Sequence, residues 1–462
     1  MKDTLPDTLS RLRDGSLRGT RRLALSAGLS EFPNEIFALA DTLEVLDLSG
    51  NALTALPDDL HRLHRLRVLF ASDNRFTSLP AGLGRCARLE MIGFKANRIV
   101  DVPAESLPPR LRWLILTDNA IEHLPDALGR CTRLQKLMLA GNRLQALPTT
   151  LAGCERLELL RIAANRLPTL PDALLQLPRL AWLAFGGNPL NATREAAVRA
   201  DRALPAVPWG ALAVHERVGQ GASGVIHRAV WASAPGGPRT VALKLFKGAV
   251  TSDGSPDSEL AASLAAGAHP HRIGAEGRLA SHPDGAEGLV MPWVDADYVT
   301  LAGPPSLESC TRDVYADGTR FTPAQALRLA AGVADAVHTL HARGLLHGDL
   351  YAHNILWRAD GDARLGDMGA ASFFDTMDAH QAGALQRIEA RAFGCLAEEV
   401  RLRCSEPESP ALAPLAEIEA RCLDADPAAR PRFDAIARAL SRSLAACSCA
   451  GTFATGPAAP PH

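Results

Sequence analysis

Asparagines recur at positions 51, 74, 97, 119, 142, 165 and 188, in steps of 23 residues with a single step of 22. Each sits in the same frame. Leu43, Leu46, Leu48, Asn51, Leu53, Leu56, Pro57 and Leu60 return as Leu134, Leu137, Leu139, Asn142, Leu144, Leu147, Pro148 and Leu151. A unit this short cannot bury its own leucines, so neighbouring units must stack and share one core, which predicts a curved α/β solenoid. In each Leu-x-Leu the leucines point inward and the residue between them faces out, while a buried asparagine can bond the backbone groups freed at the turn.

This LxxLxLxxNxLxxLPxxL pattern resembles the leucine-rich-repeat family from about Leu17 to Leu190. Residues 17–40 read as a shorter first repeat with Gly28 in the asparagine position. The outward positions form two columns, Val45, Val68, Met91, Trp113, Lys136, Leu159, Trp182 and Asp47, Phe70, Gly93, Ile115, Met138, Arg161, Ala184. A band containing Phe70, Trp113, Ile115, Met138 and Trp182 reads as a surface for a separate protein partner. Packing of the second domain of the same chain there, or ordinary surface with no role, are the alternatives.

The repeat stops near Asn191. A polar helix candidate over Thr193–Ala203 and then Leu204-Pro205-Ala206-Val207-Pro208 read as a cap and stiff linker. Beyond it, Gly219-Gln220-Gly221-Ala222-Ser223-Gly224 lies between two β-rich runs. A dinucleotide-binding fold would need a helix after the third glycine. A strand, glycine loop and strand instead suit a flap laid over phosphates. Further on, Leu345-Leu346-His347-Gly348-Asp349-Leu350-Tyr351-Ala352-His353-Asn354 places an amide five residues after a carboxylate, and Asp367-Met368-Gly369 follows. That spacing suits a phosphoryl transferase, with one carboxylate accepting a hydroxyl proton and an amide helping to hold a metal.

With Val241-Ala242-Leu243-Lys244, in a chain holding five lysines, these motifs resemble the protein kinase family over roughly Leu212–Leu440. The resemblance implies an α+β two-lobed kinase-like domain that binds ATP and Mg2+. Asp349 is then the base, Lys244 and Asn354 complete the catalytic set, and Asn354 and Asp367 hold magnesium. Gly219, Gly221, Gly224, Ile226, Lys244 and Glu259 would surround the nucleotide, with Met291, Trp293 and Val294 at its adenine end. Glu259 is the candidate partner of Lys244, with Asp257 as rival. Gly369 would let the metal-binding loop turn, His347 would brace the catalytic loop, and His353 would be incidental.

Several positions depart from the family pattern. Gly348 stands where an arginine commonly precedes the base, which disfavours switching by loop phosphorylation. Tyr351 replaces a lysine, and Met368 replaces the usual Phe. No Ala-Pro-Glu follows Gly369. Glu389 resembles the start of a buried helix that ordinarily opens with Asp, which leaves a short substrate platform, and Arg430 resembles the arginine that pairs with the missing glutamate.

Composition bounds the setting. A net charge of -2 gives no nucleic-acid footprint. The start lacks a signal-peptide core and no apolar run of spanning length occurs, so the expected location is cytoplasmic with no membrane segment. The Ala/Arg/Gly/Pro bias points to GC-rich coding and a bacterial source. Nine scattered cysteines, including Cys86, Cys131 and Cys154 in leucine positions, read as small core hydrophobes. The expected division is residues 1–191 for the repeats, 192–208 for the cap and linker, 209–444 for the kinase domain and 445–462 for a disordered tail. The expected function is an ATP-dependent protein kinase, serine or threonine favoured over tyrosine, whose repeats recognise a protein. A kinase-like adaptor and a small-molecule kinase are the alternatives.

Overall fold

A computed structural model describes residues 5–201, 204–221, 223–248 and 250–452. The chain forms two compact units. One contains Met1–Thr193 together with Gly248–Ser258, the other Arg194–Lys247 together with Glu259–His462.

In the first unit a short helix, α1 (Leu5–Arg13), precedes eight three-residue strands: β1 (Arg22–Ala24), β2 (Val45–Asp47), β3 (Val68–Phe70), β4 (Met91–Gly93), β5 (Trp113–Ile115), β6 (Lys136–Met138), β7 (Leu159–Arg161) and β8 (Trp182–Ala184). They pair in parallel and in chain order. The register advances by one repeat per strand, so Leu46, Leu69, Ile92, Leu114, Leu137, Leu160 and Leu183 stack in one buried row. The return segments are mostly single 3-10 turns opened by Pro80, Pro103, Pro125 and Pro148; a one-turn helix, α2 (Asp172–Leu175), follows Pro171. Proline presets the first φ, and each segment is too short to propagate a longer helix.

The asparagines tie adjacent repeats together. Asn142 Nδ2 donates to the carbonyls of Leu116 and Leu139, both at 2.9 Å, and its Oδ1 accepts from the amide of Ile121 at 3.0 Å. Asn74, Asn165 and Asn188 bond in the same sense. The residue before each asparagine adopts positive φ, namely Gly50, Asp73, Ala96, Asp118, Gly141, Ala164 and Gly187. Cys86, Cys131 and Cys154 are buried, and burial pushes their thiols up to about 11, about 11 and about 12.

The outward columns align strand by strand as the repeat predicts. Phe70, Trp113, Ile115 and Met138 are half-buried, but Trp182 is only 2% exposed. The expected apolar band is therefore closed at that end. There the chain's own residues 250–258 approach β7 and the turn after β8, at Arg161 and Gly187.

Helix α3 (Pro189–Ala200) begins earlier than the expected helix and ends before residue 203. The stretch expected as a linker then supplies β9 (Ala206–Pro208), an edge strand parallel to β13 (Gly277–Ala280). Val207 is fully buried there, so the segment has an apolar reason to join the sheet. With β10 (Leu212–Gln220), β11 (Gly224–Trp231), β12 (Arg239–Phe246) and β14 (Gly288–Pro292), the sheet runs β10-β11-β12-β14-β13-β9. Helix α4 (Pro256–Ala266) follows β12.

The helical part begins after β15 (Val299–Thr300). Helix α5 (Pro323–Ala342) opens with a Thr322/Gln325 capping box. Then come β16 (Leu345–Leu346), β17 (Ile355–Trp357), β18 (Ala363–Leu365), β19 (Ser372–Phe373), α6 (Ala379–Leu402), α7 (Ala413–Cys422) and α8 (Phe433–Thr452). Helix α8 continues past Ala445 into the stretch expected as a tail, of which residues 453–462 lie outside the described part. Among the described residues, no helix is long and apolar enough to cross a membrane.

Replacing Asn142 with Ala strips partners from three buried backbone groups, at about 1–3 kcal/mol for each group left unsatisfied. The repeat unit should lose roughly 3 kcal/mol or more in a urea titration. An unchanged midpoint would mean that the asparagine row does not hold the repeats together.

Candidate active site

Lys244 lies on β12, opposite Ile226 of β11 and Leu289 of β14. Its side chain is 9% exposed, and an ammonium so placed needs acceptors. Nζ donates to Glu259 Oε1 on α4 and lies 3.6 Å from Asp367 Oδ1. Burial alone would lower the lysine pKa, but Asp367 and Glu259 outweigh it and hold the value above the ordinary one, so the side chain stays charged. For Asp367 burial acts to raise the pKa, yet Lys244 and the amide of Gly369 hold the carboxyl below its usual range. The rival partner, Asp257, is exposed, whereas Glu259 is buried against Lys244.

Behind this pair is a cavity of about 130 Å³ lined by Ile226, Lys244, Glu259, Leu289, Met291 and Asp367, among others. It is smaller than a site that would enclose a whole nucleotide. Gly219, Gly221, Gly224, Trp293 and Val294 do not line it. Gly219 lies near the end of β10, Gly224 opens β11 and Gly221 stands between the two strands, where its amide bonds the carbonyl of Gly224 at 3.0 Å. A Cβ on Gly224 would meet the carbonyl oxygen of Leu245 at 2.6 Å, whereas one on Gly221 would meet nothing within 4 Å. The turn thus packs on β12 at one end and is open at its crest. Trp293 and Val294 follow β14, with Trp293 36% exposed beneath the Arg228 guanidinium.

The loop bearing Asp349 leaves β16 and is pinned from below. Glu389 is buried in α6; its Oε1 accepts from the amide of Gly348 at 2.7 Å, and its Oε2 from the amide of His347 at 3.2 Å and from His341 Nε2 at 2.7 Å. Burial would raise its pKa, but His341 and those amides hold it down, so it remains a carboxylate. Gly348 has φ +74, a conformation costly for any side chain, which accounts for glycine where an arginine was expected. His347 Nε2 bonds the carbonyl of Gly366 at 2.8 Å and so ties this loop to the Asp367 loop. Asn354 Nδ2 donates to Asp349 Oδ2 at 2.7 Å and to the Asp349 carbonyl at 2.9 Å.

In the Asp367 loop the left-handed residue is Asp367, at φ +50. Its carboxylate accepts the Gly369 amide at 3.0 Å, and a Cβ on Gly369 would lie a tight 3.1 Å from that same oxygen. Two expectations change. Glu389 is inside its helix and not at its start, because Asp378 caps α6 by accepting the amide of Gln381. His353 is not incidental. Its Nδ1 lies 2.8 Å from Asp313 Oδ1, its amide donates to Asp313 Oδ2 at 2.9 Å, and its Nε2 lies 3.9 Å from Asp349 Oδ2. Burial would lower the His353 pKa, but Asp313 and Asp349 hold it above its ordinary value. Beside it opens a second cavity of about 720 Å³, lined by Thr300, Leu301, Pro304, Arg320, His353 and Trp357 among others. Glu389 carried a hint in its family-like context, whereas nothing local marked Asp313. Arg430, expected to lack its usual glutamate, donates from Nε to the Asp424 carbonyl at 2.9 Å.

The available donors suit a hard cation. Asp367 offers carboxylate oxygen, and Asn354, with its Nδ2 committed to Asp349, offers Oδ1. Two protein oxygens completed by phosphate and water are the usual provision for Mg2+.

A family model described as protein tyrosine and serine/threonine kinase matches residues 212–402, and leucine-rich-repeat models match residues 42–63 and 132–190. The serine/threonine-protein kinase AfsK of Streptomyces coelicolor is 42% identical over 83 residues, 18% of this chain and 9% of its own length. AfsK of Streptomyces griseus is 40% identical over 83 residues, with the same shares. An Oryza sativa protein named as a candidate cyclin-dependent kinase is 30% identical over 161 residues, 33% of this chain and 45% of its own. The chain thus spans less than half the length of each of these relatives. A solved Leptospira interrogans LRR protein shares 26% identity, 37% of this chain and 50% of its own, at a TM-score of 0.32, too slight a likeness to bear on the fold. The repeat sheet and these matches show N-terminal leucine-rich repeats and a C-terminal protein tyrosine and serine/threonine kinase domain in this chain.

Proposed function

We propose that the chain is an ATP-dependent protein kinase that phosphorylates a protein hydroxyl, serine or threonine in preference to tyrosine, and that its repeats recognise a protein. The observation that carries this reading is the convergence of Lys244, Glu259 and Asp367, joined through His347 and Gly366 to the loop bearing Asp349 and Asn354. In this reading Lys244 binds the α and β phosphates, and Glu259 keeps its ammonium from swinging away. Gly219, Gly221 and Gly224 present the flap, Ile226 and Met291 border the base, and the backbone of Trp293 and Val294 bonds its edge. Asn354 and Asp367 hold magnesium, which supplies positive charge against the phosphate oxygens. Asp349 orients the acceptor hydroxyl and takes its proton as the oxygen bonds the γ-phosphorus and ADP leaves. Asn354 fixes the rotamer of that carboxylate, and the ring of His353 stands behind it. Phe70, Trp113, Ile115 and Met138 remain the candidate partner surface, while the buried Trp182 drops out of it.

One observation favours a second reading, phosphorylation of a small molecule. Because α6 already begins at Ala379, the segment after Gly369 offers little platform for a peptide. The cavity beside His353 could hold either a peptide side chain or a free small acceptor.

Asp349→Asn should lower turnover by about 10²–10⁴-fold while leaving thermal stability unchanged; an unaltered rate would remove Asp349 from the role of base. Lys244→Met should abolish phosphotransfer and destabilise its own unit, by about 3–5 kcal/mol, because two carboxylates lose their shared cation. Its binding to a repeat-recognised protein should persist. Radiolabelled ATP with a cell lysate, followed by phosphoamino-acid analysis, separates the readings. Labelled phosphoserine or phosphothreonine supports the first, whereas label confined to a small-molecule fraction supports the second.

A further inference from the structure

The segment Gly248–Ser258 lies, in sequence, between the strand that carries Lys244 and the residue that pairs with it, yet it packs within the repeat unit. Arg161 stands in the outward column of β7, where a side chain would ordinarily face solvent. Its guanidinium is 2% exposed, and its Nε donates to Asp253 Oδ1 at 3.0 Å, 92 residues along the chain. A charge buried to this degree is costly unless paired, so the contact is specific.

Two further points mark the same seat. A Cβ on Gly141 would lie 2.5 Å from Val250 Cγ1, and one on Gly187 would lie 3.0 Å from Ser258 Oγ. Other repeats carry Asp or Ala at the corresponding position before the asparagine, so a side chain is tolerated by the turn itself.

The segment has little slack. The amide of Thr251 bonds the carbonyl of Gly254 at 2.8 Å, and Thr251 Oγ1 accepts from the amides of Asp253 and Gly254. Ser255 Oγ then accepts the amide of Ser258 at 3.2 Å, which caps α4. Glu259 is the next residue. A turn, a cap and one helical turn are all that separate Asp253 from the carboxylate that holds Lys244.

We propose that Arg161 and Asp253 are positioning residues for Glu259: the repeats grip residues 250–258 and thereby set the placement of α4 and the Lys244–Glu259 pair. This end of the repeat face is thus occupied by the chain itself, and a protein that competes for Arg161 would loosen the pair. The effect on catalysis rests on the kinase reading above, but the grip does not.

The test is amide hydrogen exchange on the full chain. Arg161→Ala should speed exchange over residues 250–266 by roughly tenfold or more, reflecting easier local opening, with α5 and strands β1–β6 unchanged. In the same background, Gly141→Cys with Val250→Cys should restore slow exchange when the disulfide is formed and lose it on reduction. For the kinase itself, Arg161→Ala should raise the KM for ATP and the crosslink should bring it back. Acceleration confined to residues 250–258, unchanged exchange throughout, or a crosslink without effect on residues 259–266 would each overturn the proposal. A wild-type chain without phosphotransfer would instead overturn the kinase reading, and the exchange result would stand independently.

Discussion

One buried ammonium organises the second unit. Lys244 is almost enclosed, and enclosure is tolerable only because Glu259 and Asp367 both face it. Neither carboxylate would be comfortable there alone, so the three groups depend on one another. That dependence draws together a sheet strand, a helix and a distant loop. The Asp367 loop is in turn tied by the Gly366 carbonyl to His347, and so to the loop bearing Asp349.

The Asp349 loop illustrates how a shortened lobe can still be rigid. Little chain separates Gly369 from α6, so few external contacts are available to shape the site. Support comes from beneath, where the Glu389 carboxylate holds the backbone of His347 and Gly348 while its charge is balanced by His341. It also comes from the side, where Asp313 and His353 back the Asp349 carboxylate. The strained φ of Asp367 is consistent with a loop held by these contacts and not by its own preference.

The repeat unit is built on a different economy of polar groups. Each buried asparagine satisfies backbone atoms of its own repeat and of its neighbour, so the sheet is cross-linked at every turn. Its outward face is less uniform than its core. Half-buried apolar side chains occupy the middle strands, whereas at β7 and β8 Arg161 and Trp182 are fully enclosed. A face that looks continuous in sequence is therefore divided in space into a part still accessible and a part already occupied.

The sequence by itself determined what repeats locally. The asparagine spacing set the strand register, and the alternation of leucines set the core row. Lys244, Asp349, Asn354 and Asp367 were legible because their order and spacing are covalent properties of the chain. Only the tertiary structure decided which distant groups meet. The choice of Glu259 over Asp257, the seat of Asp253 on Arg161, the bond from Asp313 to His353, the grip of Glu389 and the recruitment of Val207 into a sheet all depend on the path by which the chain returns. Burial makes such meetings energetically decisive, because an enclosed charge or unpaired apolar strand must find its partner wherever the fold brings one, and sequence distance carries no record of that.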